Sequence, residues 1–174
     1  GSTGTQAFYC VGTDINAKVF IPAPANTSSS FSGYPGISYD GTKINVGIDS
    51  NAFGDATVHN VLAQFDVTTG VTTAFGALNY YSSSGTPRLG ASSWGISGDG
   101  LTVTGQAYMG SSTTSYATNR VAPMLGTIAG TTNLLGAGVV PTSNGRAQCA
   151  NFDGTYVGGY SSSSAAGFYW NKVG

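Results

Sequence analysis

The sequence predicts an all-β protein, and three observations lead to this prediction. Residues that favour exposed helices (Glu, Lys, Arg, Gln and Met) are scarce among the 174 residues, whereas Thr, Val, Tyr, Phe and Ile are abundant. Several Asp-Gly pairs lie between short segments of alternating apolar residues, a pattern typical of antiparallel strands joined by a tight turn. These segments recur along the chain at a nearly constant spacing. The chain is therefore expected to form successive hairpins.

The first predicted hairpin covers residues 7–20, where a polar turn separates two short apolar segments. Hairpins of the same kind are predicted at residues 62–75 and 123–135. A related segment at residues 167–174 supplies one more strand without a partner. The sequence thus begins with one such hairpin, repeats it twice and finishes with part of another.

A second kind of hairpin alternates with the first and is centred on Asp-Gly. Its three copies cover residues 36–47, 95–105 and 149–159. Glycine suits the positive φ angle of a tight turn, and the preceding carboxylate is expected to cap backbone N–H groups. The turn residues Asp40, Asp99 and Asp153 are 59 and 54 residues apart.

Two hairpins in each period of about 55 residues make four strands per repeat, which is the arithmetic of a β-propeller blade. The chain supplies about three such blades. We expect a single domain, 1–174, with a partial unit at about 7–30, complete units at about 31–87 and 88–144, and a partial unit at about 145–174. A β-sandwich with coincidental repeats and a fragment of a longer propeller are the alternatives.

The Asp-Gly turns carry a resemblance to known repeat families. Ile37-Ser38-Tyr39-Asp40-Gly41 and Ile96-Ser97-Gly98-Asp99-Gly100 resemble the Ser-x-Asp-Gly hairpin of WD40-like, TolB-type propeller repeats. The Asp153-Gly154 hairpin, followed by Val157-Gly158-Gly159 and later by Phe168-Tyr169-Trp170, is similar to the bacterial extracellular HAF repeat. The resemblance covers most of residues 7–174 and implies a β-propeller fold. It implies no single function, because propellers host enzymes, lectins and scaffolds alike.

The charge pattern argues against several classes of function. The formal net charge is −1 and the six Lys and Arg residues are scattered, so no basic stripe is available to bind nucleic acid. The chain has no Glu and a single His, His59, which leaves little material for a metal site or for acid–base catalysis. No apolar stretch approaches the roughly 18 residues of a membrane-spanning helix. We therefore expect no enzyme activity, no cofactor, no metal and no membrane insertion.

Cys10 and Cys149 are the only cysteines, and neither has the spacing of a metal or redox motif. We expect a structural disulfide between them, which within one chain would close a loop of about 140 residues. Two alternatives stay open: buried thiols that act as small apolar residues, and a disulfide between chains. A composition with 27 Gly, 21 Ser and 21 Thr but few charges favours an extracellular or cell-surface location.

The number of blades predicts self-association. Closed propellers normally have four to eight blades, so about three blades would leave an open arc with bare strand edges. Bare edges pair with neighbouring chains, which predicts a closed homo-oligomer or a filament. The residues expected in the pairing strands are Phe8, Val11, Val19, Phe168, Trp170 and Val173. The first function hypothesis is therefore a non-enzymatic extracellular structural or adhesive protein.

The alternative hypothesis is a lectin-like propeller that binds glycans. Aromatic residues beside Ser, Asn and Gly can stack on sugar rings and make adaptable polar contacts. The candidates of this kind are Tyr80, Tyr81, Trp94, Tyr108, Tyr116 and Tyr160. A lectin predicts a small defined oligomer and sugar-dependent binding, whereas self-assembly predicts large particles without any ligand.

Overall fold

The computed structural model of the chain describes residues 7–14, 16–22, 31–50, 59–81, 87–109, 120–136, 144–161 and 166–172. Within these ranges every regular element is a strand, which confirms the all-β prediction. The strands are β1 (Phe8–Cys10), β2 (Lys18–Phe20), β3 (Phe31–Ser32), β4 (Lys43–Ser50), β5 (His59–Asp66), β6 (Val71–Gly76), β7 (Asn79–Tyr81), β8 (Pro87–Leu89), β9 (Ala91–Ile96), β10 (Val103–Met109), β11 (Arg120–Thr127), β12 (Gly130–Asn133), β13 (Gly145–Ala150), β14 (Tyr156–Ser161) and β15 (Ala166–Asn171). Nothing in the described part of the chain has the length and apolarity of a membrane-crossing helix.

Strands that follow one another in sequence are antiparallel neighbours in five sheets. The N-terminal hairpin contains β1 and β2, and β7 and β8 form a separate small hairpin. The first sheet contains β3 to β6, the second sheet contains β9 to β12, and the third sheet contains β13 to β15. The first and second sheets have four strands, whereas the third has three described strands. The strands flanking each predicted turn are indeed paired with each other.

The three Asp-Gly turns have the same geometry. In each, the glycine N–H donates to the carbonyl three residues earlier, at Ser38, Ser97 or Asn151, over distances of 3.0–3.2 Å. The glycines Gly41, Gly100 and Gly154 have φ angles of 73°, 76° and 70°. Each Asp carboxylate accepts the N–H two residues further on, as predicted. The side-chain oxygen of Ser38, Ser97 or Asn151 also accepts the N–H five residues later, at 2.9 Å.

The sheets pack face to face in chain order. The first sheet alternates its side chains between two neighbours: Val61, Ala63 and Phe65 pack towards the N-terminal hairpin with Ile21, while Leu62 packs towards the second sheet with Met124. A smaller core joins the second sheet to the third through Leu125, Ala147, Val157 and Trp170. Each middle sheet is therefore buried on both faces.

The described sheets form an open succession rather than a closed ring. The N-terminal hairpin lies at one end and the third sheet at the other. The outward face of the hairpin carries Phe8 and Phe20, both exposed, with their rings edge to face at 6.3 Å. The outward face of the third sheet carries exposed Tyr156 and Tyr169. Aromatic side chains are thus left uncovered at both ends of the succession.

Candidate functional site

The first strand of each large sheet and the Asp-Gly turn after it lie beside those of the next sheet. Gly33, just after β3, forms a parallel bridge with Ser93 on β9. At the turns, the Tyr39 N–H donates to the Gly98 carbonyl at 2.9 Å, and the Asp99 N–H donates to the Phe152 carbonyl at 2.7 Å. Side chains from three different sheets can therefore meet along this line.

A β-bulge orients the Trp94 side chain towards the neighbouring sheets. In the β9–β10 pair, Thr104 is opposite Gly95 while Gly105 is opposite Ser93, so Trp94 has no partner across the ladder. A bulge of this kind turns the side chain of the extra residue away from the regular alternation. The half-buried Trp94 ring consequently reaches residues of both neighbouring sheets.

Tyr34 is placed beside Trp94 by a buried asparagine. Asn45 on β4 is completely buried, and its amide nitrogen donates to the Tyr34 carbonyl at 2.9 Å and to the Ser93 hydroxyl. Its amide oxygen accepts the Gly36 N–H. The segment before the first turn is thereby held against β9, and the Tyr34 and Trp94 rings lie 4.8 Å apart with an interplanar angle of 37°.

Arg146 and Tyr160 complete the group from the third sheet. They are directly opposite each other on β13 and β14, and the guanidinium donates a hydrogen bond to the Tyr160 hydroxyl. The Arg146 Cζ atom lies 3.9 Å from the centroid of the Trp94 ring and 4.5 Å from that of Tyr160. Tyr34, Trp94, Arg146 and Tyr160 are called the aromatic–arginine cluster below.

The cluster combines aromatic faces with a positive charge. Cation–π attraction contributes about 0.5–2 kcal/mol for each such contact, depending on how far water is excluded. The Trp94 Nε1 atom is buried and has no hydrogen-bond acceptor among the described residues, which costs about 1–3 kcal/mol. The two Arg146 contacts are of similar size and offset this cost. A surface of this composition is suited to binding a ring with polar or anionic substituents.

The structure brings together two of the six predicted sugar-stacking residues. Trp94 and Tyr160 are in the cluster, whereas Tyr108 on β10 is exposed elsewhere, with its hydroxyl 3.5 Å from the Gln106 amide nitrogen. The side chains of Tyr80 and Tyr81, and all of Tyr116, lie outside the described residues.

Sequence reasoning missed Tyr34 and Arg146. Counting outwards from the third turn places Tyr160 opposite residue 147, but the register shift between Ala147 and Cys149 moves Arg146 into that position. The only advance signal for Arg146 was a lone cation near the start of a predicted strand.

The predicted assembly residues are divided between exposed and packed positions. Phe8, Val11 and Val19 are exposed. Phe168 and Trp170 are half-buried, and Trp170 packs into the core between the second and third sheets. Tyr169, which was not a candidate, is 80% exposed. Val173 lies outside the described residues, as does the side chain of His59.

Cys10 and Cys149 are both exposed, and no disulfide joins them. The expected disulfide within one chain is therefore not present, and the alternative of two buried thiols is wrong. The Cys149 thiol is 3.8 Å from the Gly158 carbonyl oxygen. A bond between chains stays a prediction.

In the part of the chain that the structure describes, no three His, Cys, Asp or Glu side chains are close enough to hold a metal ion. The chain matches no protein-family model and no curated protein. The resemblance to TolB-type and HAF repeats stays a prediction.

Proposed function

We propose that the protein is a non-enzymatic extracellular structural or adhesive repeat protein that self-associates head to tail through its two terminal faces. One observation carries this proposal. β1 and β15 share a Phe-Tyr sequence, but the Tyr side is the covered face of β1 and the Phe side is the covered face of β15.

The two strands share the sequence Phe-Tyr, at Phe8-Tyr9 and Phe168-Tyr169. In β1, Tyr9 faces the first sheet, with its ring 5.9 Å from that of Phe65, and Phe8 is 44% exposed. In β15, Phe168 is on the covered face with Trp170, and Tyr169 is exposed. The Phe side of β1 thus lacks a sheet before it, and the Tyr side of β15 lacks a sheet after it.

A propeller-like architecture accounts for this complementarity. Three sheets in succession, with adjacent leading strands and a shared Asp-Gly turn, fit consecutive blades better than the two layers of a β-sandwich. The proposed units are the partial repeat 7–30, the repeats 31–87 and 88–144, and the partial repeat 145–174. A second copy would continue the succession, since its hairpin presents exposed Phe8 and Phe20, with Lys18 beside Phe8, to the uncovered third sheet.

The contact is heterologous, because the two terminal faces of one chain differ. Heterologous contacts give a ring when the rotation between copies closes, and a filament when it does not. The low charge of the chain leaves little repulsion between copies, and the composition rich in Gly, Ser and Thr suits the proposed extracellular or cell-surface location.

Point variants on the two faces test the proposal. Phe8→Ser and Tyr169→Ser each remove an exposed aromatic side chain from one face and should shift the wild-type particles to smaller species in native mass spectrometry and negative-stain electron microscopy. Tyr39→Ser is the matched control, because Tyr39 is 87% exposed at a turn and is on neither face. A wild-type chain that stays monomeric at all concentrations would overturn the proposal.

Mixing the two variants tests the polarity of the contact. An equimolar mixture retains one intact pair of faces, the Tyr169 side of Phe8→Ser against the Phe8 side of Tyr169→Ser. We expect the mixture to form dimers that neither variant forms alone. Dimers in one of the separate solutions would instead indicate a contact between identical faces.

A second candidate function is lectin-like carbohydrate binding, with glycans as the partner. The observation that favours it is the aromatic–arginine cluster, in which Tyr34 is 65% exposed.

A further inference from the structure

We propose that the aromatic–arginine cluster binds an acidic saccharide, with Arg146 receiving the carboxylate and Tyr34 receiving the face of the sugar ring. The proposal rests on the second candidate function, for which it names a ligand class.

Arg146 has hydrogen-bonding capacity that the residues described by the structure do not use. A guanidinium has five N–H donors, and the Tyr160 hydroxyl is its side-chain acceptor within the described residues. The ion pair found in these parts of the chain joins Lys43 and Asp66 and does not involve Arg146. Among the described residues this half-buried cation has no carboxylate partner, which leaves it available to bind an anion.

The guanidinium is also held in place before a ligand arrives. Contacts with Trp94 at 3.9 Å and Tyr160 at 4.5 Å restrict its position, and Arg146 and Tyr160 are on paired strands rather than on a loop. A planar fork that is already ordered loses little side-chain freedom on binding. Carboxylates match this fork, because two parallel N–H groups can donate to their two oxygens.

Tyr34 supplies the part of the surface that would select a ring. Its side chain is mostly exposed while its backbone is held by the Asn45 amide. Amphipathic aromatic rings present an apolar face, and the C–H face of a pyranose is the apolar side of a sugar. Tyr34 and Arg146 both contact the Trp94 ring, so an oligosaccharide with one sugar on Tyr34 can present the carboxylate of another sugar to Arg146. The cluster therefore favours an oligosaccharide with carboxylates over a neutral saccharide or a free small anion.

The test compares an oligogalacturonate with the same oligosaccharide fully methyl-esterified, using isothermal titration calorimetry and Trp fluorescence. The acid should bind at least about tenfold more tightly than the ester, since a hydrogen bond between charged groups contributes enough free energy for a tenfold change in affinity. Arg146→Gln should abolish the preference, and Tyr34→Ala should weaken binding of both forms. The matched controls are Lys172→Gln, which removes another cation, and Tyr39→Ala, which removes another exposed ring.

Arg146→Lys covers the case in which Arg146→Gln does not fold, as judged by circular dichroism. It keeps the charge but lacks the fork, so it should retain part of the preference for the acid. Equal binding of acid and ester, unchanged binding by Arg146→Gln, or no binding of the acid at millimolar concentration would each overturn the proposal. Binding of a sulfated oligosaccharide without binding of the carboxylate would overturn the assignment of the anion. Particle size measured in the same samples keeps the result separate from self-association.

Discussion

At the scale of single residues, the three turn aspartates perform the same task. Each carboxylate accepts backbone N–H groups that the tight turn leaves without a ladder partner. Ser38 and Thr42 donate to Asp40 through their side chains as well, and these hydrogen bonds lower its pKa. Hydrogen bonds from Thr155 lower the pKa of Asp153 in the same way.

These shifts predict a loss of stability in acid. Because the folded-state pKa of Asp40 is below the unfolded value of about 3.9, the carboxylate stabilises the fold above that pH. The contribution disappears as the pH falls through the folded-state pKa. We expect Asp40→Asn to be less stable than the wild type at pH 7, and the difference to shrink at pH 2.5. Urea denaturation at both pH values measures it, and a difference independent of pH would contradict the assignment.

Gly95 is a glycine because another backbone passes close to it. A Cβ atom at this position would lie 2.4 Å from the Gln148 carbonyl oxygen on β13. Gly95→Ala should push the second and third sheets apart and cost about 1–3 kcal/mol of unfolding free energy. Gly167→Ala is the matched control, since its Cβ would be 3.7 Å from the nearest atom. Chemical denaturation of both variants decides the point, and equal stability would show that the sheets can shift without cost.

At the scale of elements, local chemistry made the hairpins predictable. The Asp-Gly turns and the alternation in β4 and β10 depend on residues close in sequence, so the pattern alone located them. The bulges at Trp94 and at Gln148 were not predictable, because no local turn signal or change in the apolar alternation marks the extra residue. The aromatic–arginine cluster follows from those bulges, and only its Trp94 and Tyr160 were identified as candidates.

Asn45 joins the first sheet to the second, and its removal should be costly. It is completely buried and forms hydrogen bonds with groups near β3 and with Ser93 on β9. Asn45→Ala leaves several buried polar groups without partners and should cost about 2–3 kcal/mol. Gln148→Ala, at an exposed position, is the control. A loss below 0.5 kcal/mol would indicate that water replaces the amide.

At the scale of the whole molecule, the two cysteines lie on the two ends that the proposed assembly brings together. Cys10 is two residues from Phe8 and shares its outward face on β1. Cys149 is opposite Gly158, which is itself opposite Tyr169, so its thiol is on the outward face of the third sheet. Head-to-tail contacts would therefore place Cys10 of one copy near Cys149 of the next.

Oxidation consequently tests whether copies meet head to tail, and the result does not depend on the shape of the particles. A mild copper-based oxidant removes two electrons and two protons from a pair of thiols to form each disulfide, and the wild type should give a ladder of crosslinked species on a non-reducing gel. Cys10→Ser and Cys149→Ser should each remain uncrosslinked alone, while their mixture should give dimers only, because one thiol of each kind survives. Dimers of Cys149→Ser alone would mean that the hairpins meet each other, which a head-to-tail succession does not allow. A wild type that forms particles without crosslinks would keep the assembly and exclude direct contact between these two thiols.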